Sequence, residues 1–342
     1  MKNIDIKLVE YLHNSRGEYL SGEELSKKLG VSRTAIWKHI KKLREKGYRI
    51  DSVTNKGYSL KGIPDRITLE EIKIILDTEE MGKELLVYDS LASTNEKAKE
   101  LARQGYESGT IVIAEEQTAG KGRLGRQWYS PAETGLWLSI ILRPDLLPIK
   151  SPYLTIIASL AVYQALENII DSIGDAGGIL VQHEDLDKGL RIKWPNDILL
   201  NGKKVCGILS EMSAEMDHIK YAVVGIGINI NQNSFPEEII NIATSLRIEY
   251  QKSFRRVKLL KLLLTYFENY YYLLLQAKDK GILETWKEKL SIIGQEITIY
   301  SNKQSFSGMV LNISEQGELI LKTDDNTIKR FWAGDVSLRK IK

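Results

Sequence analysis

Residues Glu115 to Pro131 read EEQTAGKGRLGRQWYSP. Three glycines (Gly120, Gly122, Gly125), three cations (Lys121, Arg123, Arg126) and one indole (Trp128) share this run. That composition predicts neither a regular helix nor a strand, whereas GTIVIA before it (109–114) and GLWLSIIL after it (135–142) both read as strands. A loop rich in N–H groups, with three cationic side chains, suits a polyphosphate or an acyl phosphate.

Three readings compete for it. Gly120, Gly122 and Gly125 satisfy the dinucleotide pattern G-x-G-x-x-G. That pattern needs an amphipathic helix opening at the loop, and Arg126 to Pro131 has no apolar 3.6-residue period. A Walker A loop is excluded because no Gly-Lys-Ser/Thr closes the run. The bland reading is a solvated basic surface loop. Against it stands a second polar cluster further along, Lys193-Trp194-Pro195-Asn196-Asp197, flanked by strand-like alternation. A lysine in such a strand is ordinarily turned to solvent. Beside Trp-Pro-Asn-Asp it could instead be a fixed cation in a pocket, where low dielectric strengthens its field.

Composition sets the frame. The chain has 342 residues, 43% hydrophobic and 27% charged, enough for two or three ordinary globular domains. No run of about 18 apolar residues stands out, so no transmembrane helix is expected, and MKNIDIKLVEYL lacks a signal-peptide layout. A single cysteine, Cys206, excludes an internal disulfide, fits a reducing cytoplasm and sits in an apolar run that points to a buried, inert thiol. His13, His39, His183 and His218 are scattered, and no Cys/His cluster has metal-ligand spacing. Charge is uneven. Residues 1–62 hold 14 Lys and Arg against 7 Asp and Glu, while the rest of the chain is net acidic, so one end is built for a polyanion.

That basic end reads as a winged helix-turn-helix. Ser21 with Glu24 forms a capping box for a helix from Gly22 to Leu29, Gly30 makes the turn, Ser32 caps a third helix, and Gly47 ends it. The helix-turn-helix proper spans Ser21 to Ile40. Ile36, Ile40 and Leu43 form the buried stripe of the third helix. Arg33, Thr34, Trp37, Lys38, Lys41 and Arg44 lie off it, as a recognition helix in a major groove requires. Trp37 is placed either on that exposed side or half-packed against the first helix. A hairpin turning at Thr54-Asn55-Lys56 would be the wing. Candidate DNA contacts are therefore Ser32, Arg33, Thr34, Trp37, Lys38, Lys41 and Lys56.

Gly62 to Asp65 reads as a linker, followed by a short helix from Thr68 to Leu76. Ser93 and Glu96 make a second capping box, for a helix running to Arg103. Capping explains Ser93 but not Asn95. Ser93, Thr94 and Asn95 together could also hydrogen-bond a neutral polar ligand such as an amide or ureido group. Tyr153 to Ile169 is a long apolar helix, and residues 171–189 read as a polar surface insertion. Gly225 and Gly227 in YAVVGIGININ suggest close approach by a ligand. Beyond Gln295, short alternating strands with Gly or Asn turns predict a small all-β domain.

Taken together, these segments resemble the bifunctional biotin–protein ligases that also repress a biotin operon. The resemblance spans essentially the whole chain and rests on Ser93-Thr94-Asn95, the Gln117–Trp128 loop, Lys193 to Asp197, and Gly225-x-Gly227-x-Asn229. It implies a multi-domain α+β chain: a winged helix-turn-helix (1–62), a central α/β ligase domain with a mixed sheet of the class II aminoacyl-tRNA synthetase/biotin ligase type (66–290), and a C-terminal SH3-like β-barrel (291–342). It implies activation of biotin by ATP and Mg²⁺ to biotinoyl-5′-AMP, then transfer to a lysine of biotin carboxyl carrier protein. It also implies adenylate-dependent homodimerisation, operator DNA as partner, and no membrane. Ser93, Thr94, Asn95 and Gln117 would meet the biotin rings. Lys121, Gly122 and Arg123 would lie along carboxylate and phosphate, Lys193 at their junction, and Gly207 would admit the ligand by lacking a side chain. Lys193 and Arg123 would be catalytic; Arg126, Trp128 and Asn229 would take the adenylate half, with Trp128 on adenine. Many relatives have arginine where Lys121 stands, and a lysine offers a point charge in place of a bidentate fork. Two alternatives remain at this stage: a biotin- or adenylate-sensing transcription factor without turnover, and a lipoate ligase.

Overall fold

The computed structural model describes residues 4–175, 189–301 and 304–338, and the chain divides into two compact units. The first runs to Asp77 and takes in Arg255–Lys261; the second holds the remainder.

The first unit opens with α1 (Ile4–Asn14), α2 (Gly22–Leu29) and α3 (Arg33–Glu45). Ser21 and Ser32 cap the second and third of these, accepting from Glu24 N at 3.0 Å and Ala35 N at 3.1 Å. Gly30 takes the left-handed φ of 68° that the turn between them needs. Strands β1 (Arg49–Val53) and β2 (Gly57–Gly62) form the antiparallel wing, and α4 (Leu69–Ile75) follows, capped by Thr68. Leu8, Leu12, Leu25, Ile36, Ile40 and Leu43 are fully buried together. Their spacing on each helix is the 3.6-residue stripe of the sequence.

The second unit is organised on a seven-stranded mixed sheet. Its elements run β3 (Leu85–Leu91), α5 (Thr94–Arg103), β4 (Ile111–Gln117), β5 (Gly135–Leu142), α6 (Pro152–Asp175), β6 (Leu190–Lys193), β7 (Asp197–Leu200), β8 (Lys203–Ala214), β9 (Ile219–Asn229), α7 (Leu246–Tyr250), α8 (Arg256–Leu275, from Leu262 on) and α9 (Asp279–Lys289). Strand order is β3-β4-β5-β9-β8-β7-β6; β3 and β4 pair parallel, the rest antiparallel. Every residue of β5 is buried, as a central strand covered on both faces must be.

Helix α6 departs from expectation at its end. It continues to Asp175, so residues 171–175 are helix and not insertion; the rest of the expected insertion, 176–188, lies outside the described residues. The run Pro148–Ile173 is long and apolar enough to cross a membrane, yet 78% of its most apolar window is buried inside the fold. Its apolarity is used by the core: Ile157, Ala158, Ala161, Val162, Ala165 and Leu166 have no exposed surface.

A five-stranded sheet closes the chain: β10 (Glu296–Ser301), β11 (Gln304–Ile313), β12 (Leu319–Thr323), β13 (Ile328–Phe331) and β14 (Asp335–Leu338), in the order β13-β12-β11-β10-β14. The last strand lying beside the first is the arrangement of an SH3-like barrel. Trp194 Nε1 donates to Gly317 O at 3.2 Å, and Tyr153 Oη to Glu315 O at 2.7 Å, fastening the barrel to the β6–β7 turn and to α6.

Candidate active site

One cavity of about 750 Å³ opens where α5, the glycine-rich loop, the β6–β7 turn, β8, β9 and the barrel meet. Ser93, Thr94, Asn95 and Gln117 line it, as do Lys121, Gly122, Arg123, Arg126 and Trp128, with Lys193, Gly207 and Asn229 completing the predicted set. Residues spread over more than a hundred positions of sequence thus share one hollow, of the size that buries a cofactor-sized ligand.

At one end the polar groups are tightly organised. Ser93 caps α5, and Thr94 and Asn95 form its first turn, each 3–4% exposed. Gln117 Oε1 accepts from Thr94 N at 2.9 Å and Thr94 Oγ1 at 3.1 Å, while its Nε2 donates to Ser130 Oγ at 2.9 Å. Asn95 Nδ2 donates to Leu209 O at 3.1 Å and Glu211 Oε2 at 2.9 Å. Here the structure corrects the reading of Gly225. A methyl group at that position would lie 2.0 Å from Asn95 Oδ1, so the glycine makes room for a side chain of the protein itself.

The glycine-rich loop folds back on itself. Gly122 N donates to Arg126 O at 2.7 Å, Trp128 N to Gly120 O at 2.9 Å, and Gln117 N to Ser130 O at 3.1 Å. Several N–H groups that the sequence suggests for a ligand are thus consumed within the loop. Leu124 sits at φ 56° inside a single 3₁₀ turn, Arg123–Gly125. The cations point different ways. Arg123 Nη1 donates to Asn196 Oδ1 at 2.8 Å, and burial pulls its guanidinium below the ordinary value. Arg126 is clamped by the barrel's Asp335, whose hydrogen bonds raise the guanidinium. Lys121 reaches Glu96 Oε1 at 2.7 Å, and hydrogen bonds from Lys121 and Lys99 hold the Glu96 carboxyl below its usual range.

Trp128 lies across two further glycines. A methyl group on Gly227 would be 2.4 Å from its Nε1, and one on Gly207 3.0 Å from its ring. The Lys204 ammonium is 5.1 Å from the ring centroid and 2.7 Å from Asp197 Oδ1. Trp128 Nε1 is buried without a hydrogen-bond partner, so a bound acceptor atom could satisfy it. Lys193 is half-buried at the end of β6, facing the cavity across the Trp194-Pro195-Asn196 turn. Asn229, 2% exposed, accepts from Gln232 Nε2 at 3.1 Å.

Sequence reasoning missed Lys204. Strict alternation backwards from the cavity-facing Gly207 puts Val205 inward and Lys204 outward. The register, however, pairs Ile198 with Cys206 and Leu199 with Lys204, leaving Val205 as the extra residue of a bulge. The bulge shifts the phase by one residue and turns Lys204 to the cavity. Cys206 meets its expectation: it is buried, and burial pushes its thiol far up. Among the described residues, the group able to hold a metal is Glu215, Asp217 and His218, exposed on a hairpin tip and not lining the cavity.

On the helix-turn-helix, Ser32, Arg33, Thr34, Trp37, Lys38, Lys41 and Lys56 are all exposed, Trp37 by 53%. Arg44 also lies on the exposed side as expected, and its guanidinium donates to Ile50 O at 2.9 and 2.6 Å, which commits it to the wing.

Known proteins share both the sequence and the arrangement. Residues 87–229 match the Biotin/lipoate A/B protein ligase family, 6–59 an HTH domain, and 292–339 the Biotin protein ligase C terminal domain. The chain is 40% identical to the bifunctional ligase/repressor BirA of Bacillus subtilis over 97% of both chains. It is 32% identical to the protein of that name from Escherichia coli, over 98% of this chain and 97% of that one. The chain belongs to the biotin protein ligase family. The ligase from Aquifex aeolicus, solved in complex with biotin and ATP, superposes with a TM-score of 0.61 at 30% identity, covering 75% of this ligase and 99% of the Aquifex chain.

Proposed function

We propose that this ligase condenses biotin with ATP to biotinoyl-5′-AMP, transfers the acyl group to a lysine of biotin carboxyl carrier protein, and, loaded with the adenylate, represses biotin genes through its winged helix. The observation that carries the reading is the cavity itself. A hydrogen-bonding end built from Ser93, Thr94 and Asn95 is continuous with a cationic end holding Arg123, Lys193 and Lys204.

The first step brings two anions together. The biotin carboxylate attacks the α-phosphorus, and pyrophosphate leaves with the bond electrons. Cations fixed at the meeting point offset the repulsion and stabilise the spreading charge, and no covalent protein intermediate is needed. Arg123 and Lys193 are the side chains assigned that task. Lys204 joins them: it already faces the cavity and is turned there by the backbone. The indole of Trp128, with Arg126 and Asn229, borders the space assigned to the adenylate half. Mg²⁺ is taken as the counter-ion of ATP. The two carboxylates lining the cavity, Asp197 and Asp335, are already paired with Lys204 and Arg126, so no dedicated protein cage is assigned to the metal. In the second step a neutral lysine amine attacks the acyl carbon and AMP departs. Closure of the loop over the anhydride would keep water out.

The exposed face of α3 supports the DNA-binding half, with Arg33, Lys38 and Lys41 available to phosphates and base edges. A two-fold operator calls for a dimer. We assign dimerisation to the adenylate-bound form; sedimentation with and without adenylate reads it, and an unchanged monomer–dimer constant would remove it. The single buried thiol suits a cytoplasmic protein.

The deciding experiment is pyrophosphate release on mixing the chain with biotin and MgATP without acceptor. A burst close to one equivalent followed by slow turnover is expected. Biotin binding without a burst would leave a sensor, and an equal burst with lipoate would leave a lipoate ligase.

A further inference from the structure

Asn95 is buried at the hydrogen-bonding end of the cavity, and the two ends of its amide are not interchangeable. Its Nδ2 has two hydrogens, one on Leu209 O at 3.1 Å and one on Glu211 Oε2 at 2.9 Å. Neither partner can donate, so reversing the amide would set its oxygen against a carbonyl and a carboxylate. On the other side Ser139 Oγ lies 2.6 Å from Asn95 Oδ1 and 2.8 Å from Thr94 Oγ1. Ser139 has one proton. The amide oxygen cannot donate back, whereas the Thr94 hydroxyl can turn from Gln117 Oε1, which keeps the Thr94 N–H, and donate to Ser139; the Ser139 proton then goes to Asn95, its shorter contact. Ser139 has no exposed surface, and it stands on β5 opposite Gly225, the residue whose missing side chain lets Asn95 reach it. Glu211 is held in turn by Lys99 Nζ at 2.8 Å, which also binds Glu96 at 2.9 Å.

Both hydrogens of Asn95 and one lone pair are therefore committed within the protein, and the second lone pair of Oδ1 is what it can offer a ligand. We propose that Ser139 and Glu211 are positioning residues that lock Asn95 as a hydrogen-bond acceptor, so that this end of the cavity requires a ring N–H and rejects its alkylated counterpart. The proposal rests on the reading that Asn95 meets the cyclic urea of biotin. It gives that reading a direction: Asn95 accepts from a ring nitrogen and does not donate to the ring carbonyl.

The test compares binding of biotin with that of biotin methylated on either ureido nitrogen, by titration calorimetry without ATP. The wild type should favour biotin over one of the two isomers by about a hundredfold or more, because an N-methyl group removes the donor and leaves the Asn95 oxygen facing a methyl group. Ser139→Ala and Glu211→Leu should each shrink that ratio about tenfold. Glu211→Gln, which keeps an oxygen for the Asn95 amide, should hold the ratio close to the wild type. The KM for biotin in adenylate formation should rise in the first two variants while kcat stays near its wild-type value, a split that general loosening of the fold would not give. Thermal unfolding run alongside identifies any variant that has not folded, and Glu211→Leu and Ser139→Ala then serve as independent tests. A ratio unchanged in both, or lost equally in Glu211→Gln, overturns the proposal while leaving Asn95 as a ring contact. No discrimination in the wild type, or full biotin affinity in Asn95→Ala, overturns the reading beneath it as well.

Discussion

Single atoms decide much of this site. A methyl group on Gly225 would lie 2.0 Å from Asn95 Oδ1, and Asn95 has nowhere to retreat because Leu209, Glu211 and Ser139 already hold it. Gly225→Ala should therefore weaken biotin binding by about two orders of magnitude, the cost of displacing a buried amide held by three hydrogen bonds. Calorimetry against a melting curve separates this from unfolding, and wild-type affinity in a folded Gly225→Ala would show that Asn95 is not a contact. The glycines of this strand were legible as places of close approach, but not what approaches. A sequence shows that a side chain is missing; which neighbour fills the gap depends on strands brought together by the sheet. Cys206 was easier, since an apolar run on both sides leaves a thiol little choice but burial.

At the level of elements, the helix starts were the most legible feature. Ser21, Ser32, Thr68 and Ser93 each cap a helix in the structure, because capping is a local bargain between one hydroxyl and an N–H three residues on. The bulge at Val205 was not legible, since the sequence carries no mark of it, and so Lys204 went unassigned. The glycine-rich loop was recognised by composition, but its internal hydrogen bonds and its tether were not. That tether is the Lys121–Glu96 pair, with side chains 52% and 42% exposed. A pair so open to water contributes only about 0.2–1 kcal/mol, and Glu96 also takes Lys99 at 2.9 Å, so Glu96→Gln should lower the melting temperature by only about a few degrees. It should still speed release of biotinoyl-5′-AMP by a few-fold, since the same order of energy shifts a loop between two positions. Stopped-flow dissociation of the adenylate measures this. An unchanged rate would mean that Lys121 leaves Glu96 for the ligand's phosphate and that the pair has no part in holding the loop.

Across the whole molecule, the charge asymmetry of the sequence corresponds to a real division. The basic end forms a unit with its own core, and its acidic groups are placed with care. Asp5 is one case: burial pushes its carboxyl up, but hydrogen bonds from Lys42 and His39 outweigh that and hold it below the usual range. Glu71 on α4 is the opposite case. It is 5% exposed, neither oxygen has a hydrogen-bond partner, and the nearest cation, Arg255, is 3.9 Å away. Glu70 beside it is taken by Lys46 at 2.6 Å, and Asp65 adds repulsion. Burial, only partly offset by Arg255 and Arg256, pushes the Glu71 carboxyl up to about 7. The folded unit therefore binds a proton more tightly at Glu71 than the unfolded chain does. The penalty for ionising Glu71 is absent at low pH and grows as pH rises from about 4.5 through about 7. Glu71→Gln, which mimics the protonated form, should match the wild type near pH 4.5 and be more stable by on the order of 2 kcal/mol at pH 8. Hydrogen exchange at the amides of Leu8, Leu12 and Ile40 reads this in the core of the first unit. A variant no more stable than the wild type at pH 8 would mean that Arg255 closes on Glu71 in solution and holds it ionised.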